Sequence, residues 1–278
     1  MDTGTLYLVA TPIGNLQDMT FRAVEVLKSV EFICAEDTRN TGLLLKHFEI
    51  ETKQISFHEH NAFEKIPSLI DLLLTGKNLA QVSDAGLPSI SDPGHDLVKA
   101  AIAADIPVVA LPGASAGITA LIASGLAPQP HVFYGFLPRK AGQQKDFFDS
   151  KKSYPETQIF YESPHRVAHT LENMLAIYGD RQVAVVRELT KLYEEYQRGL
   201  ISEVLAYLAE HPIKGECLII VSGFDGQLPK EDFGNPDPLE AVKELIDGGQ
   251  KPNQAIKKIA KERGLNRQEL YNAYHNLL

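Results

Sequence analysis

A chain of 278 residues, 44% hydrophobic and 23% charged, is long enough for two domains with proper cores. Its net charge of -9 excludes a protein that attracts polyanions over its whole surface, so a nucleic-acid partner needs a local cluster of Lys and Arg. The two cysteines, Cys34 and Cys217, sit in apolar runs and read as buried thiols of a reducing compartment. No run approaches membrane-spanning length and the N-terminus lacks a signal-peptide pattern, so a cytoplasmic protein is expected.

Residues 5–10 (TLYLVA) predict a first strand, closed by the turn TPIGN at 11–15. Thr20 predicts the cap of a helix running to about Lys28, with Ala23, Val24 and Leu27 at helical spacing. A strand at 32–35 ends in Glu36-Asp37-Thr38-Arg39; a helix at 41–48, a strand at 54–57 and a helix after Asn61 follow. The central stretch is 79–94, LAQVSDAGLPSISDPG, which reads as strand, sharp turn, extended loop and helix start. Asp92 before Pro93 is a helix-start signal, because the carboxylate caps free N–H groups and the ring presets φ. Gly86 lets the backbone approach a ligand, and Asp84 offers acceptors to ribose hydroxyls or an amine. A strand at 108–111 precedes a small-residue helix ending at Ser124, and alternation of strands and helices this far predicts a parallel sheet covered on both faces.

The stretch APQP at 127–130 reads as a linker, with a second α/β half beyond it. Its predicted strands are 131–136, 157–161, 182–186 and 217–222, with helices opening at Glu162-Ser163-Pro164 and spanning about 201–209. Residues 139–152 carry Arg139, Lys140, Lys145, Lys151 and Lys152 against Asp146 and Asp149. Residues 225–238 read as another linker. The tail from Leu239 predicts helices separated by Gly248-Gly249 and Gly264-Leu265-Asn266. Its basic residues (Lys243, Lys251, Lys257, Lys258, Lys261, Arg263, Arg267) outnumber five acidic ones, which suggests a helix-turn-helix-like bundle or a solvated helix pair. The expected division is 1–118, 119–224 and a helical tail at 239–278.

Several chemistries compete. The run GASAG at 113–117 matches G-x-S-x-G between strand and helix, and a hydrolase at Ser115 would draw on Asp180 and His211. No oxyanion motif lies upstream, so a tight turn admitting a ligand is the better reading. His165 with His169, and His58 with His60 around Glu59, have ligand-like spacing, but the helical pair lacks the Glu of H-E-x-x-H and no Cys lies near either, so no metal is expected. Walker and G-x-G-x-x-G loops are lacking. More telling are the carboxylates just after strands: Glu36-Asp37, Asp84, Glu162 and Glu188. Strands running the same way bring such residues to one edge, although Asp37 and Glu162 serve equally well as helix caps.

The blocks TPIGNL, AEDTR, SDAGLPSISDPG, LPGASA, FYESPHR, RELTKLYEE and KGECLIIV, in this order, resemble the tetrapyrrole-methylase superfamily. More narrowly they look like its bacterial small-subunit ribosomal RNA ribose-2′-O-methyltransferase branch. The resemblance covers residues 4–224 and extends to the tail; GEC at 215–217 departs mildly from the pattern. It implies two α/β domains of the class III methyltransferase type, S-adenosylmethionine bound between them, and a homodimer. Carried over, Pro12, Ser83, Asp84, Ala85, Gly86, Ile90, Ser115, Ala116, Tyr161 and Glu216 would surround the cofactor. The implied substrate is a cytidine ribose of 16S rRNA near the decoding centre. Proton removal from a ribose hydroxyl makes Asp37, Glu162 and Glu188 candidate bases, while Arg187 and Lys191, with Arg39, would steady charge or grip phosphate. Methylation of a porphyrinoid precursor is the competing reading within the same fold, and a non-catalytic RNA-binding protein the competing one outside it.

Overall fold

The computed structural model describes residues 3–226, 238–262 and 265–275, the side chain of Glu262 apart. These residues fall in two compact units, Met1–Gly226 and Gln227–Leu278. Residues 227–237 of the linker predicted at 225–238, with Arg263 and Gly264 of the tail, lie outside the described residues.

Among the described residues the first unit holds two five-stranded sheets. The first is built from β1 (Leu6–Leu8), β2 (Phe32–Ala35), β3 (Lys53–Ser56), β4 (Leu79–Val82) and β5 (Val108–Ala110), in the order β3-β2-β4-β1-β5. Every pairing in it is parallel, as the alternation of elements predicts. Side chains alternate across it. Ile33, Ala35, Ala80 and Val82 pack beneath α1 (Phe21–Ser29) and α2 (Thr38–His47). Cys34 and Leu79 pack beneath α3 (Ala62–Leu74) and α4 (Gly94–Ala103) on the other face. Thr20 caps α1 as expected, its hydroxyl accepting from the Ala23 N–H at 3.1 Å. α2 opens at Thr38 rather than Thr41, because the Asp37 carboxylate caps it through the Arg39 N–H at 2.8 Å.

The second sheet comprises β6 (His131–Phe136), β7 (Thr157–Glu162), β8 (Gln182–Arg187), β9 (Glu195–Leu200) and β10 (Cys217–Val221), in the order β6-β7-β10-β8-β9. Only β6 with β7 is parallel; β10 runs against both β7 and β8, and β9 against β8. Thus β7 and β8 point the same way, and β10 starts where they end. α5 (Ala116–Ser124) follows the first sheet in sequence but packs on the second, with Ala120 and Leu121 against Ile159, Ala184 and Ile220. α6 (Ala141–Lys151), α7 (Val167–Tyr178) and α8 (Ile201–Glu210) cover the opposite face around Phe148, Phe160 and Ile219. β9 is absent from the sequence reading, since EYQRGL lacks an apolar run. As an edge strand paired only with β8, it needs none.

The second unit contains α9 (Pro238–Asp247), α10 (Pro252–Glu262) and α11 (Arg267–Tyr274) around Val242, Ala255, Ile256, Ile259 and Leu270. Asn266 caps α11 through the Gln268 N–H at 2.9 Å. Lys257, Lys258 and Lys261 lie on the exposed face of α10, opposite its buried residues.

Candidate functional site

Loops at the facing edges of the two sheets enclose a cleft of about 430 Å³. From the first sheet come Ile13 after β1, Glu36 after β2, Ser83 to Gly86 after β4, and Ser115 with Ala116 after β5. From the second come Tyr161 and Glu162 at the end of β7, and Gly215 with Glu216 before β10. β1 and β4 are neighbours where the winding of the first sheet reverses, the place where open α/β sheets take ligands.

The loops are held by their own polar groups. The Thr11 and Gly86 N–H groups each donate to the other's carbonyl at 3.0 Å, and the Thr11 hydroxyl donates to the Ser83 carbonyl at 3.0 Å. Ser83 Oγ donates to the Gly86 carbonyl at 3.1 Å. Gly86 has φ +82°, and a Cβ there would come within 3.3 Å of Ala114 O and of Ile13, so the turn requires glycine. Asp92 accepts from the N–H groups of Ser89 and Gly94 at 2.8 Å each, and from Gln81 at 2.9 Å, which fixes the start of α4. Asp84 is tied to the start of α2, accepting from the Asp37 N–H and the Asn40 amide at 3.2 Å each.

Nine of the ten residues expected to surround a cofactor line this cleft: Ser83, Asp84, Ala85, Gly86, Ile90, Ser115, Ala116, Tyr161 and Glu216. Pro12 lines an adjoining hollow that shares Ser83, Asp84 and Ala85. Burial raises the Tyr161 hydroxyl above its ordinary value. Ser115 precedes α5 with extended φ and ψ of -143° and 109°, without the strain of a nucleophile elbow. Its suggested triad partners are engaged elsewhere: Asp180 accepts from the N–H and hydroxyl of Ser202, and His211 contacts the Tyr207 carbonyl. Ser115 is therefore a cleft-lining residue with no catalytic partner of that kind.

The five residues expected to act on the acceptor are dispersed. Glu162 lines the cleft with 3% exposure. One of its oxygens accepts from the Ser163 N–H at 2.8 Å; the other accepts from Thr170 Oγ1 at 2.8 Å and lies 3.4 Å from Arg166. Glu188, at φ 50°, accepts from the Glu216 N–H at 2.9 Å and from Lys191 Nζ at 3.0 Å. These donors, the Glu216 N–H foremost, hold its carboxyl below the usual range. Lys191 also pairs with Glu216 at 2.9 Å, which raises the ammonium, and its stem lies against Gly14. Lys191 and Glu216 line the hollow beside Pro12. Arg187 pairs with Glu195 at 2.6 Å and lines a separate hollow beside Tyr207 and His211. Asp37 faces Arg39, whose hydrogen bonds pull its carboxyl down to about 2.

Glu36, named in the sequence as a strand-end carboxylate beside Asp37, was not among the candidate bases. It lines the cleft, and its pKa is raised chiefly by burial and then by the Asp84 and Asp92 carboxylates; a hydrogen bond from the Asp84 backbone and the charge of His58 oppose the rise. A signal did exist in the Glu36-Asp37 pair: Asp37 stands at the capping position of α2, which leaves Glu36 free to face the cleft. Among the described residues no group of three or more His, Cys, Asp or Glu side chains is placed to hold a metal ion. No helix among them is long and apolar enough to cross a membrane.

Two α/β layers sharing one ligand cleft, with a glycine turn after β4, define the class. The chain belongs to the tetrapyrrole (corrin/porphyrin) methylase family, whose model matches residues 5–205. It is 74% identical over 275 residues to the ribosomal RNA small subunit methyltransferase I of Streptococcus pyogenes serotype M1, covering 99% of this chain and 96% of that one. The protein of the same name from Bacillus subtilis (strain 168) is 50% identical over 277 residues, covering 99% and 95%. Among solved structures, uroporphyrin-III C-methyltransferase from Thermus thermophilus, complexed with S-adenosylhomocysteine, shares the fold. Its TM-score is 0.54 at 18% identity, over 79% of this chain and 97% of that one. The family resemblance and the fold class read from the motifs both hold.

Proposed function

We propose that this chain is a cytoplasmic methyltransferase that uses S-adenosylmethionine to modify small-subunit ribosomal RNA, at the 2′-hydroxyl of a cytidine near the decoding centre. The observation that carries the RNA reading is identity of 74% across 99% of the chain, tail included, to a relative named for that substrate. The cleft suits the donor. Its volume is that of a small-molecule site, Ile13, Leu189 and Leu218 supply apolar wall, and Ser83, Asp84 and Ser115 supply a few polar groups.

In this reading the two sheets are two domains, 1–118 and 119–224, that grip the donor through Pro12, Ser83 to Gly86, Ile90, Ser115, Ala116, Tyr161 and Glu216. When bound, the donor supplies an electrophilic methyl group on a sulfonium. The residues around it orient the acceptor in line and exclude water. Glu162 positions the β7 end of the cleft wall, and the Glu188–Lys191–Glu216 set holds the wall beside β10. Asp37, with Arg39, shapes the start of α2, and Arg187 stands with the RNA-facing cations. The basic stretch on α6 and the cationic face of α10 contact RNA, and two copies work as a homodimer. Arg139, Lys140 and Lys145 are exposed, as contact with phosphate requires. A chain lacking residues 239–278 should bind the donor normally yet modify small subunits poorly. Normal modification by that truncated chain would remove the tail from the account.

A further inference from the structure

A second hollow of about 580 Å³ opens beside the donor cleft, lined by Glu36, Glu59, Phe63, Asp92 and Asp96 among others. Glu36, Ser91 and Asp92 line both spaces, so the two share a wall. Phe63, in the first turn of α3, is 91% exposed, and its ring meets no other ring among the described residues. A single exposed aromatic is ordinary on a surface; one set with Ile66 and Pro93 in the wall of a hollow that adjoins a ligand cleft is placed to stack. His58, whose charge acts on Glu36, has a buried Nδ1 with no hydrogen-bond partner.

We infer that this hollow receives the acceptor nucleoside, with Phe63 stacked on the base and Glu36, at the shared wall, accepting the proton of the ribose hydroxyl. The inference rests on the RNA reading above. As the hydroxyl oxygen bonds to the donor's methyl carbon, the carbon–sulfur bond breaks with its electron pair going to sulfur. The hydroxyl proton passes to the Glu36 carboxylate and then to water, so one methyl ether, one neutral thioether and one proton result. Burial and the neighbouring Asp84 and Asp92 carboxylates make Glu36 a stronger proton acceptor than an exposed glutamate, while His58 limits the effect. The acidic lining suits a base rather than a phosphate. Glu59 and Asp96 can accept from the exocyclic amine of cytosine, which uracil lacks, while phosphates stay at the basic surface outside.

The test is methyl transfer to undermethylated small ribosomal subunits, with donor affinity measured by calorimetry. Glu36→Gln should lower turnover about a hundredfold at saturating subunits, with the donor Kd unchanged within about twofold. Phe63→Ala should raise the KM for subunits about tenfold with little change in kcat or in melting temperature, and Phe63→Trp should restore it. The double variant Glu59→Gln, Asp96→Asn should lower kcat/KM by about tenfold. Wild-type turnover in Glu36→Gln would overturn the proton role, and a wild-type KM in Phe63→Ala would overturn the hollow as the acceptor site. Failure of the RNA reading itself looks different: the unaltered protein would label a porphyrinoid and leave the subunits unlabelled.

Discussion

Glu36 and Glu162 face the same cleft from opposite sheets, and the structure treats them differently. Glu162 is saturated: Ser163, Thr170 and Arg166 supply donors, and behind Thr170 the buried amides of Gln144 and Asn173 extend the network at 3.1 and 2.6 Å. Glu36 is surrounded instead by desolvation and two further carboxylates, and its pKa is raised. A carboxylate bound by several buried donors is part of the framework, whereas one whose charge is disfavoured by its surroundings has proton-transfer capacity in reserve. Placement after a strand is common to both; the neighbours decide the role.

The largest effect that would break this comparison is on stability. Glu162→Ala leaves the buried Thr170 hydroxyl without its acceptor and takes one partner from Arg166, which keeps the Pro138 carbonyl, and should cost about 1–3 kcal/mol in a denaturant melt. Glu36→Gln should cost nothing at neutral pH. A folded-state carboxyl held above its ordinary value ionises later than in the unfolded chain, so its contribution to stability is full at acid pH and is lost as pH rises through the folded pKa. The Gln variant escapes that loss, and should match the unaltered protein in acid and equal or exceed it at neutral pH. A Glu36→Gln protein as unstable as Glu162→Ala would erase the distinction. Next in size, Asp84→Ala should weaken donor binding about tenfold by calorimetry, and Ser115→Ala by less. Unchanged affinity in both would move the donor elsewhere. The smallest effect is expected at Lys191→Ala, whose exposed partner Glu216 makes that ion pair worth about 0.5 kcal/mol or less.

Much of this was readable before any coordinates. β2 and β6 have the bounds their apolar runs predict, Thr20 caps α1, and Asp92 clamps the start of α4. These features depend on local chemistry, which a sequence carries directly. β9 was not readable, because EYQRGL carries no apolar run and only pairing with β8 orders it at the sheet edge. α7 starts at Val167 rather than at Pro164, since a turn over Ser163 to Arg166 intervenes. The expectation that strand-end carboxylates share an edge holds for Glu162 and Glu188 even though their sheet is mixed. β7 and β8 lie on either side of β10 and run the same way, a topological fact no periodicity reveals. Glu216 lines the cleft from the beginning of a strand, where a rule about strand ends does not look; only the family motif pointed to it. Glu36 was named with Asp37 yet passed over as a base for a different reason. Which of two adjacent acids faces a cleft depends on which one the following helix takes as its cap.

The central claim is the acceptor, and methyl-labelled S-adenosylmethionine tests it most directly. Undermethylated small subunits, naked small-subunit rRNA and a porphyrinoid precursor would be offered to the purified protein in parallel. The account predicts label in rRNA that survives alkali within a single 2′-O-methylated dinucleotide whose 5′ residue is cytidine. Label in the porphyrinoid with none in RNA would contradict it, as would label in RNA that alkali releases as an ordinary mononucleotide.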